Sequence, residues 1–446
     1  MRLTNLLMNA KKTIDVVVLG ATGFTGKFVV NKLAETLIND TKFNQPIVWA
    51  IAGRNRAKLQ TVLDQTSKDV GVDLSVSSSS STSIPIIEVD INNKQSLLDM
   101  CRKCRLVINC CGPYRLLGEQ VVNACITAGN CHHIDVSGEP QFLETIQLNY
   151  DKPAKLANCS IVGSCGFDSV PSDIGVQYVK SVFNGTVNSI ETYLRVTSSI
   201  NTRVTYNMAT WHSLVYGYAY RHELKQLRQQ LYNSLKKYQW KYRINRKSIA
   251  KLSDGSSGYS VPFPGSDRSV IMRTQLANYT TSNERPVQIE TYFTVKSLGA
   301  VFALIFVNLS VSLLSRYTSG RQLLMKYPHI FSLGTFNRDT EPDRQKLLSR
   351  NWCITFVAQG WPQIYTDPCF QPTEEIPNKQ LVAQISGGDL AYMDTSTIVT
   401  QIAIHMIELM NKNQLKSGVM TPGMAFESKI LLDKLDANGI KFRLKL

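Results

Sequence analysis

What this chain has little of narrows its class quickly. Acidic residues are scarce beside basic ones: 34 Asp and Glu face 49 Lys and Arg in 446 residues, leaving a formal charge of +15. A basic excess favours anionic partners such as cofactor phosphates, acidic lipid headgroups or nucleic acid. No zinc-finger spacing, RRM motif or homeodomain pattern is present, which removes nucleic acid from that set. The start of the chain, up to Lys11-Lys12, lacks the apolar run of a secretory signal. The ten cysteines follow no regular framework, and a disulfide between the adjacent Cys110 and Cys111 would be strained, so reduced intracellular thiols are expected. Cys101-Arg102-Lys103-Cys104 has no second C-x-x-C to complete a zinc site. It also precedes a strand, where a redox motif would open a helix, so no metal is expected. His132-His133 has no ligand spacing and reads as structural.

What is present is a rhythm. Residues 13–19, 47–52, 84–90, 106–111, 134–136 and 160–163 are short apolar runs, several of them β-branched. They alternate with helical stretches, the first carrying Phe28, Val29, Leu33 and Leu37 on one side. A serine run at 77–81 reads as a mobile loop between the second and third strands. This pattern predicts an α/β fold, an N-terminal Rossmann domain with a doubly wound parallel sheet over residues 1–175. Residues 187–210 and 285–296 alternate apolar and polar and predict antiparallel strands with one wet face. They place a second, α+β domain for substrate or dimerisation at 176–395, followed by a helical return segment at 396–446.

The first strand runs into Gly20-Ala21-Thr22-Gly23-Phe24-Thr25-Gly26 and then a helix. Glycines permit the tight turn and let backbone N–H groups reach a pyrophosphate, and the helix N-terminus adds positive charge there. Gly20, Thr22, Gly23, Phe24 and Gly26 are thus candidate cofactor contacts. NAD sites carry an acid at the end of the second strand; here the sequence is Gly53-Arg54-Asn55-Arg56. A cation at Arg54 suits a 2′-phosphate, so NADP(H) is expected ahead of NAD(H). Asp90 ends the third strand, near the adenine. Asn109 and Gly112 end the fourth, where the nicotinamide crevice lies in such sheets.

These segments, with Asp135-Val136-Ser137-Gly138-Glu139 and Gly166-Phe167-Asp168-Ser169-Val170-Pro171-Ser172-Asp173, stand in an order that resembles the saccharopine dehydrogenase family. Tyr259-Ser260-Val261-Pro262-Phe263, Gly320-Arg321-Gln322-Leu323-Leu324 and Thr421-Pro422-Gly423-Met424-Ala425-Phe426 extend the resemblance over nearly the whole chain. It implies a Rossmann domain, an α+β domain and a pyridine-nucleotide oxidoreductase. Related bacterial members act as trans-acting enoyl reductases in lipid synthesis, and the animal branch is associated with lipid droplets and membranes. It leaves the substrate open.

Hydride transfer asks the protein for orientation and a proton source. Tyr114, just beyond Gly112-Pro113, is the first catalytic candidate; packing or cofactor stacking is the competing reading. Asp135, Glu139 and Asp168 are candidates to line the substrate.

Two segments point to a surface. Residues 298–315 are uncharged and bracketed by Lys296 and Arg316. A core helix, a segment inserted into one leaflet and a short span all fit, and membrane association is preferred. Residues 221–251 hold ten Lys or Arg and one acid, with Leu224, Leu227, Leu231, Leu235, Tyr238 and Tyr242 at helical spacing. That predicts a basic amphipathic helix of the membrane-surface or calmodulin-target kind; an exposed helix with a packed leucine face competes. Expected partners are a lipid droplet or membrane surface, a small lipid-like substrate and, as a possibility, a second copy in a homodimer. The function expected is a lipid-directed NADP(H) oxidoreductase. The alternatives are a catalytically silent nucleotide-binding protein of the droplet surface and soluble saccharopine-type chemistry, for which no cationic pocket is evident.

Overall fold

The computed structural model describes residues 12–38, 46–74, 83–200, 205–233, 238–251, 258–338, 343–370, 372 and 375–445. The serine run at 77–81 and Leu235 lie outside these residues. The chain forms two compact units. Met1–Ser137, Phe142–Gly166 and Thr395–Met420 make the first; Gly138–Gln141, Phe167–Asp394 and Thr421–Leu446 make the second.

In the first unit seven strands form one sheet: β1 (Ile14–Leu19), β2 (Trp49–Gly53), β3 (Ile86–Glu88), β4 (Cys104–Asn109), β5 (His132–Asp135), β6 (Ser160–Val162) and, after six strands of the second unit, β13 (Gly418–Met420). Their order is β13-β6-β5-β4-β1-β2-β3, and every neighbouring pair is parallel. Val16, Val17 and Val18 of the central strand are buried, as a sheet covered on both faces requires. Helix Phe24–Ile38 buries Val29, Val30 and Leu33. Helix Arg56–Val70 starts where the Asn55 side chain accepts from the Lys58 N–H, and it stops at left-handed Gly71. β4 ends two residues earlier than expected. The Asn109 carboxamide oxygen accepts the Cys111 N–H and turns the chain out of the sheet.

The segment after residue 396 does not stand apart. Helix Met393–Asn411 is buried without a break from Thr395 to Ile407. β13 then pairs with β6, satisfying backbone groups at what would otherwise be an open edge. The expected boundary near 175 moves to the Gly166–Phe167 junction.

The second unit also carries seven strands: β7 (Thr186–Ser198), β8 (Ala250–Lys251), β9 (Tyr259–Pro262), β10 (Gln288–Val295), β11 (Arg350–Trp361), β12 (Lys379–Gly387) and β14 (Lys441–Lys445). Their order is β14-β12-β11-β7-β10-β9-β8. Most pairs are antiparallel, but β7 and β10 run parallel, which corrects the all-antiparallel expectation. Helices Met208–Ala219, Arg221–Tyr232 and Asp267–Ser282 lie between those two strands in the chain, and a crossover of that length allows parallel pairing. β7 stops at Ser198, well short of residue 210, and its first five residues are all buried rather than alternating.

The basic helix expected over 221–251 is confined to Arg221–Tyr232. Beyond it, among the described residues, the chain is held by the sheet. The Tyr238 hydroxyl donates to the Pro368 carbonyl at 2.7 Å, and the Tyr242 carbonyl accepts from Gln288 at 2.6 Å. Two of the cations are paired, Arg246 with Glu290 at 3.4 Å and Lys247 with Glu191 at 3.0 Å. Tertiary hydrogen bonds and ion pairs therefore override the helical spacing.

The uncharged segment is helix Leu298–Leu314, opened by Ser297 accepting the Ala300 N–H. Among the described residues no helix is long and apolar enough to cross a membrane. It is not a core helix either. Val311 packs into a cluster with Trp211, Val215, Leu324 and Phe336, while Leu298, Phe302, Ile305, Phe306, Leu309 and Leu313 are 46–66% exposed.

Candidate functional site

The glycine loop occupies the carboxyl end of β1. Gly20 has φ +82°, its N–H donates to the Ala52 carbonyl at 2.9 Å, and its carbonyl accepts the Gly23 N–H at 2.9 Å. A Cβ on Gly26 would stand 2.2 Å from the Gly20 carbonyl oxygen, so only glycine lets the helix begin this close to the turn. The helix starts at Phe24, leaving its first N–H groups without intrahelical partners beside the loop. Thr22 is half-buried and Gly23 exposed; the Phe24 ring packs 5.4 Å from that of Phe28. This is a cradle of backbone donors packed too closely for side chains at Gly20 and Gly26, and it fits a dinucleotide pyrophosphate.

The end of β4 abuts the loop. A Cβ on Gly20 would lie 2.5 Å from Cys111 Sγ, and the Cys110 N–H donates to the Leu19 carbonyl at 2.9 Å. Asn109 is fully buried and Gly112 exposed. Arg54 is exposed just past β2, and it is close enough for its charge to favour the Cys111 thiolate, against the burial that pushes that thiol up to about 12. The fold thus gathers Gly20 to Gly26, Arg54 and Asn109 to Gly112 at one edge. Asp90 sits in an exposed turn after β3, accepting the Asn92 N–H at 3.0 Å.

Tyr114 is placed differently from expectation. It is 7% exposed, its hydroxyl donates to the Asn109 carbonyl at 2.9 Å, and its ring lies 5.7 Å from that of Phe142. Burial raises its pKa well above the ordinary value. A hydroxyl committed to a backbone carbonyl in a buried setting pins the turn; it is not presented as a proton donor. Asp135 is also buried. Its Oδ1 accepts the Ser137 and Ser164 N–H groups at 2.9 and 3.0 Å, tying the end of β5 to the turn after β6. Burial holds the neighbouring His133 near pKa 4, a neutral ring.

Glu139 and Asp168 belong to the second unit. Glu139 is buried and accepts the Ser213 hydroxyl at 2.7 Å. Asp168 is exposed, and its carboxylate packs where a Cβ on Gly138 would stand, beside Glu139. Asp135, four residues before Glu139, belongs to the first unit instead.

One group escaped the sequence reading. Asp267 is buried, accepts the Ser172 hydroxyl, and has its pKa raised well above the ordinary range by burial. Asp173 beside it accepts from Thr274 Oγ1 at 2.8 Å and the Gly423 N–H at 2.7 Å, and burial pushes its pKa up to about 7. In the sequence Asp173 stands only as the last residue of the Gly166–Asp173 segment. The partners at Asp267, Thr274 and Gly423 are too distant along the chain to be found by motif.

Comparison with known proteins agrees with this geometry. The model of the saccharopine dehydrogenase NADP binding domain matches residues 16–162. A human protein named saccharopine dehydrogenase-like oxidoreductase is 36% identical over 435 residues, 97% of each chain. A Caenorhabditis elegans protein named lipid droplet localized protein is 31% identical over 441 residues, 97% of this chain and 98% of its own. Apo saccharopine dehydrogenase (L-Glu forming) from Saccharomyces cerevisiae superposes with a TM-score of 0.54 at 12% identity, over 97% of this chain and 100% of that one, a likeness of fold. NADP(H) is the cofactor that this domain and its glycine cradle imply.

Proposed function

The chain belongs to the family of saccharopine dehydrogenase-like oxidoreductases, and on that premise we propose that it is an NADP(H)-dependent oxidoreductase acting on a lipid-like substrate at an intracellular lipid-droplet or membrane surface. The observation that carries the surface reading is helix Leu298–Leu314. Phe302, Ile305, Leu309 and Leu313 fall at helical spacing on its exposed side, and exposed Lys296 and Arg316 bracket it. Covering such side chains is worth roughly 1 kcal/mol or more each, and a basic residue beside anionic lipid adds about as much. A helix of this kind lies in one leaflet or in a droplet monolayer without crossing it. The name of the worm relative points the same way.

The loop N–H groups of Gly20 to Gly26 hold the pyrophosphate, Arg54 meets the 2′-phosphate and prefers NADP(H) to NAD(H), and Asn109 to Gly112 border the nicotinamide. When bound, the cofactor supplies or accepts the hydride. Glu139 and Asp168 are the second unit's candidates for substrate contact. A second reading, a catalytically silent nucleotide-binding protein of the droplet surface, draws support from Tyr114, whose hydroxyl is already committed to Asn109. NADPH consumption screened against lipid extracts, with mass detection of products, separates the two. Turnover of a lipid carbonyl or enoyl compound supports the enzyme. Tight NADPH binding with no product across the extracts supports the silent protein.

A further inference from the structure

The sequence offers a lone C-x-x-C, but the fold brings two further thiols to it. Cys101 lies in the last turn of helix Lys94–Lys103 and Cys104 opens β4. Cys125 lies in helix Tyr114–Ala128, and Cys131 immediately precedes β5. All four are buried at the amino-terminal edge of the first sheet, the edge opposite the glycine loop. Cys101 and Cys125 Sγ are 3.8 Å apart, as are Cys104 and Cys131 Sγ, and the sulfurs of Cys101, Cys125 and Cys131 lie within 4.8 Å of one another. Four sulfurs around a zinc ion at ~2.3 Å form a tetrahedron with edges of ~3.8 Å, the separation of the Cys101–Cys125 and Cys104–Cys131 pairs; Cys104 stands outside the 4.8 Å group and joins as the fourth ligand by closing on Cys101 and Cys125.

We propose that Cys101, Cys104, Cys125 and Cys131 form a structural zinc site that ties helix Lys94–Lys103 and helix Tyr114–Ala128 to the starts of β4 and β5. The ligand set is closed, as in structural rather than catalytic zinc sites, and it is made of the soft donors that zinc prefers in a reducing compartment. Lys12 Nζ donates to the Cys101 carbonyl at 2.7 Å, which places a cation beside the negative charge that a zinc tetrathiolate would carry. Cys159, the next thiol along this edge, points its sulfur at the Ala157 and Cys125 carbonyls at 3.4 and 3.7 Å and so stands outside the ligand set.

The test uses the full chain, purified under reducing conditions. Elemental analysis is expected to find zinc at about one ion per chain, retained through dialysis against metal-free buffer, because the binding free energy of a structural site is large. Cobalt exchanged into the protein is expected to give the thiolate charge-transfer band and the strong visible bands of a tetrahedral sulfur site. Cys125→Ser and Cys131→Ser should each lower zinc retention about tenfold or more, while Cys353→Ser in the second unit leaves it unchanged. NADPH binding, read at the opposite edge, reports whether each variant is folded, and the cobalt spectrum of the unaltered chain needs no variant at all. Three results would overturn the site: reduced protein that takes up neither zinc nor cobalt when supplied with them, a cobalt spectrum without thiolate bands, or preference for copper(I) over zinc at these cysteines. The first means four packed neutral thiols acting as small apolar side chains.

Discussion

The two seven-stranded sheets make an instructive pair. The first is wholly parallel, and the nucleotide contacts proposed for it are backbone donors at the carboxyl end of β1 and a side chain just past β2. The second is mixed, and its notable groups are side chains drawn from far apart: Asp173 with Thr274 and Gly423, Glu139 with Ser213, and an apolar helix face held out by Trp211 and Leu324. A backbone cradle requires a short run of glycines and is contiguous in sequence. A side-chain constellation requires only that its members meet in space. The first unit therefore announces its ligand, and the second does not.

That contrast can be broken at several points. The largest effect is expected from Gly26→Ala. The added Cβ meets the Gly20 carbonyl at 2.2 Å, so the turn must open; NADPH binding should be lost and stability should fall by about 1–3 kcal/mol, read by fluorescence titration and thermal melting. Retained affinity would mean that the cofactor does not rest on this loop. Next comes Phe302→Asp with Leu309→Asp, on side chains 66% and 56% exposed. Partition onto droplet-like monolayers in a flotation assay should fall roughly a hundredfold, with NADPH affinity unchanged. Unchanged flotation would move the surface contact off this helix. Arg54→Asp is expected to weaken NADPH roughly tenfold or more while changing NADH little, since a hydrogen bond to a charged group is worth about 1.5–3 kcal/mol. Equal losses for both cofactors would remove the 2′-phosphate role.

The smallest effect concerns pH. Asp173 has a folded-state pKa of about 7, raised by burial, against roughly 3.9 for an unfolded aspartate. The folded chain therefore holds a proton that the unfolded chain has released. This contribution to stability is full below about pH 4 and is lost as pH rises toward about 7. Asp173→Asn keeps an oxygen for Thr274 and Gly423 and removes the titration. Its melting temperature should fall less between pH 5 and pH 7.5 than that of the unaltered protein, by a few degrees at most, on the order of 1 kcal/mol of the pH dependence. Parallel curves would show that Asp173 does not carry that slope.

Particular residues show how far the sequence could be read. That Gly20 to Gly26, Arg54 and Asn109 to Gly112 share one edge was legible because each belongs to a strand end, and a parallel sheet places its strand ends together. The sequence offered Tyr114 as a catalytic candidate and did not show that its hydroxyl bonds the Asn109 carbonyl, because that bond depends on the turn between them. The basic stretch misled through its spacing. Leu224, Leu227 and Leu231 stay helical, whereas Tyr238 and Tyr242 are claimed by Pro368 and Gln288. Cys125 and Cys131 sit in separate elements from the C-x-x-C and carry no local signature. The same is true of Asp267.

By itself the sequence determined a doubly wound first domain, a nucleotide cradle with a cation where NAD sites keep an acid, and an uncharged segment of near-membrane length. All of these follow from periodicity and local stereochemistry, which act over a few residues. Only the tertiary structure decided that β13 closes the edge beside β6, that β7 and β10 run parallel, that helix Leu298–Leu314 turns one face outward, and that four thiols and two buried carboxyls find their partners. Such outcomes rest on which distant segments bury surface and satisfy hydrogen bonds together, and no window along the chain contains that information.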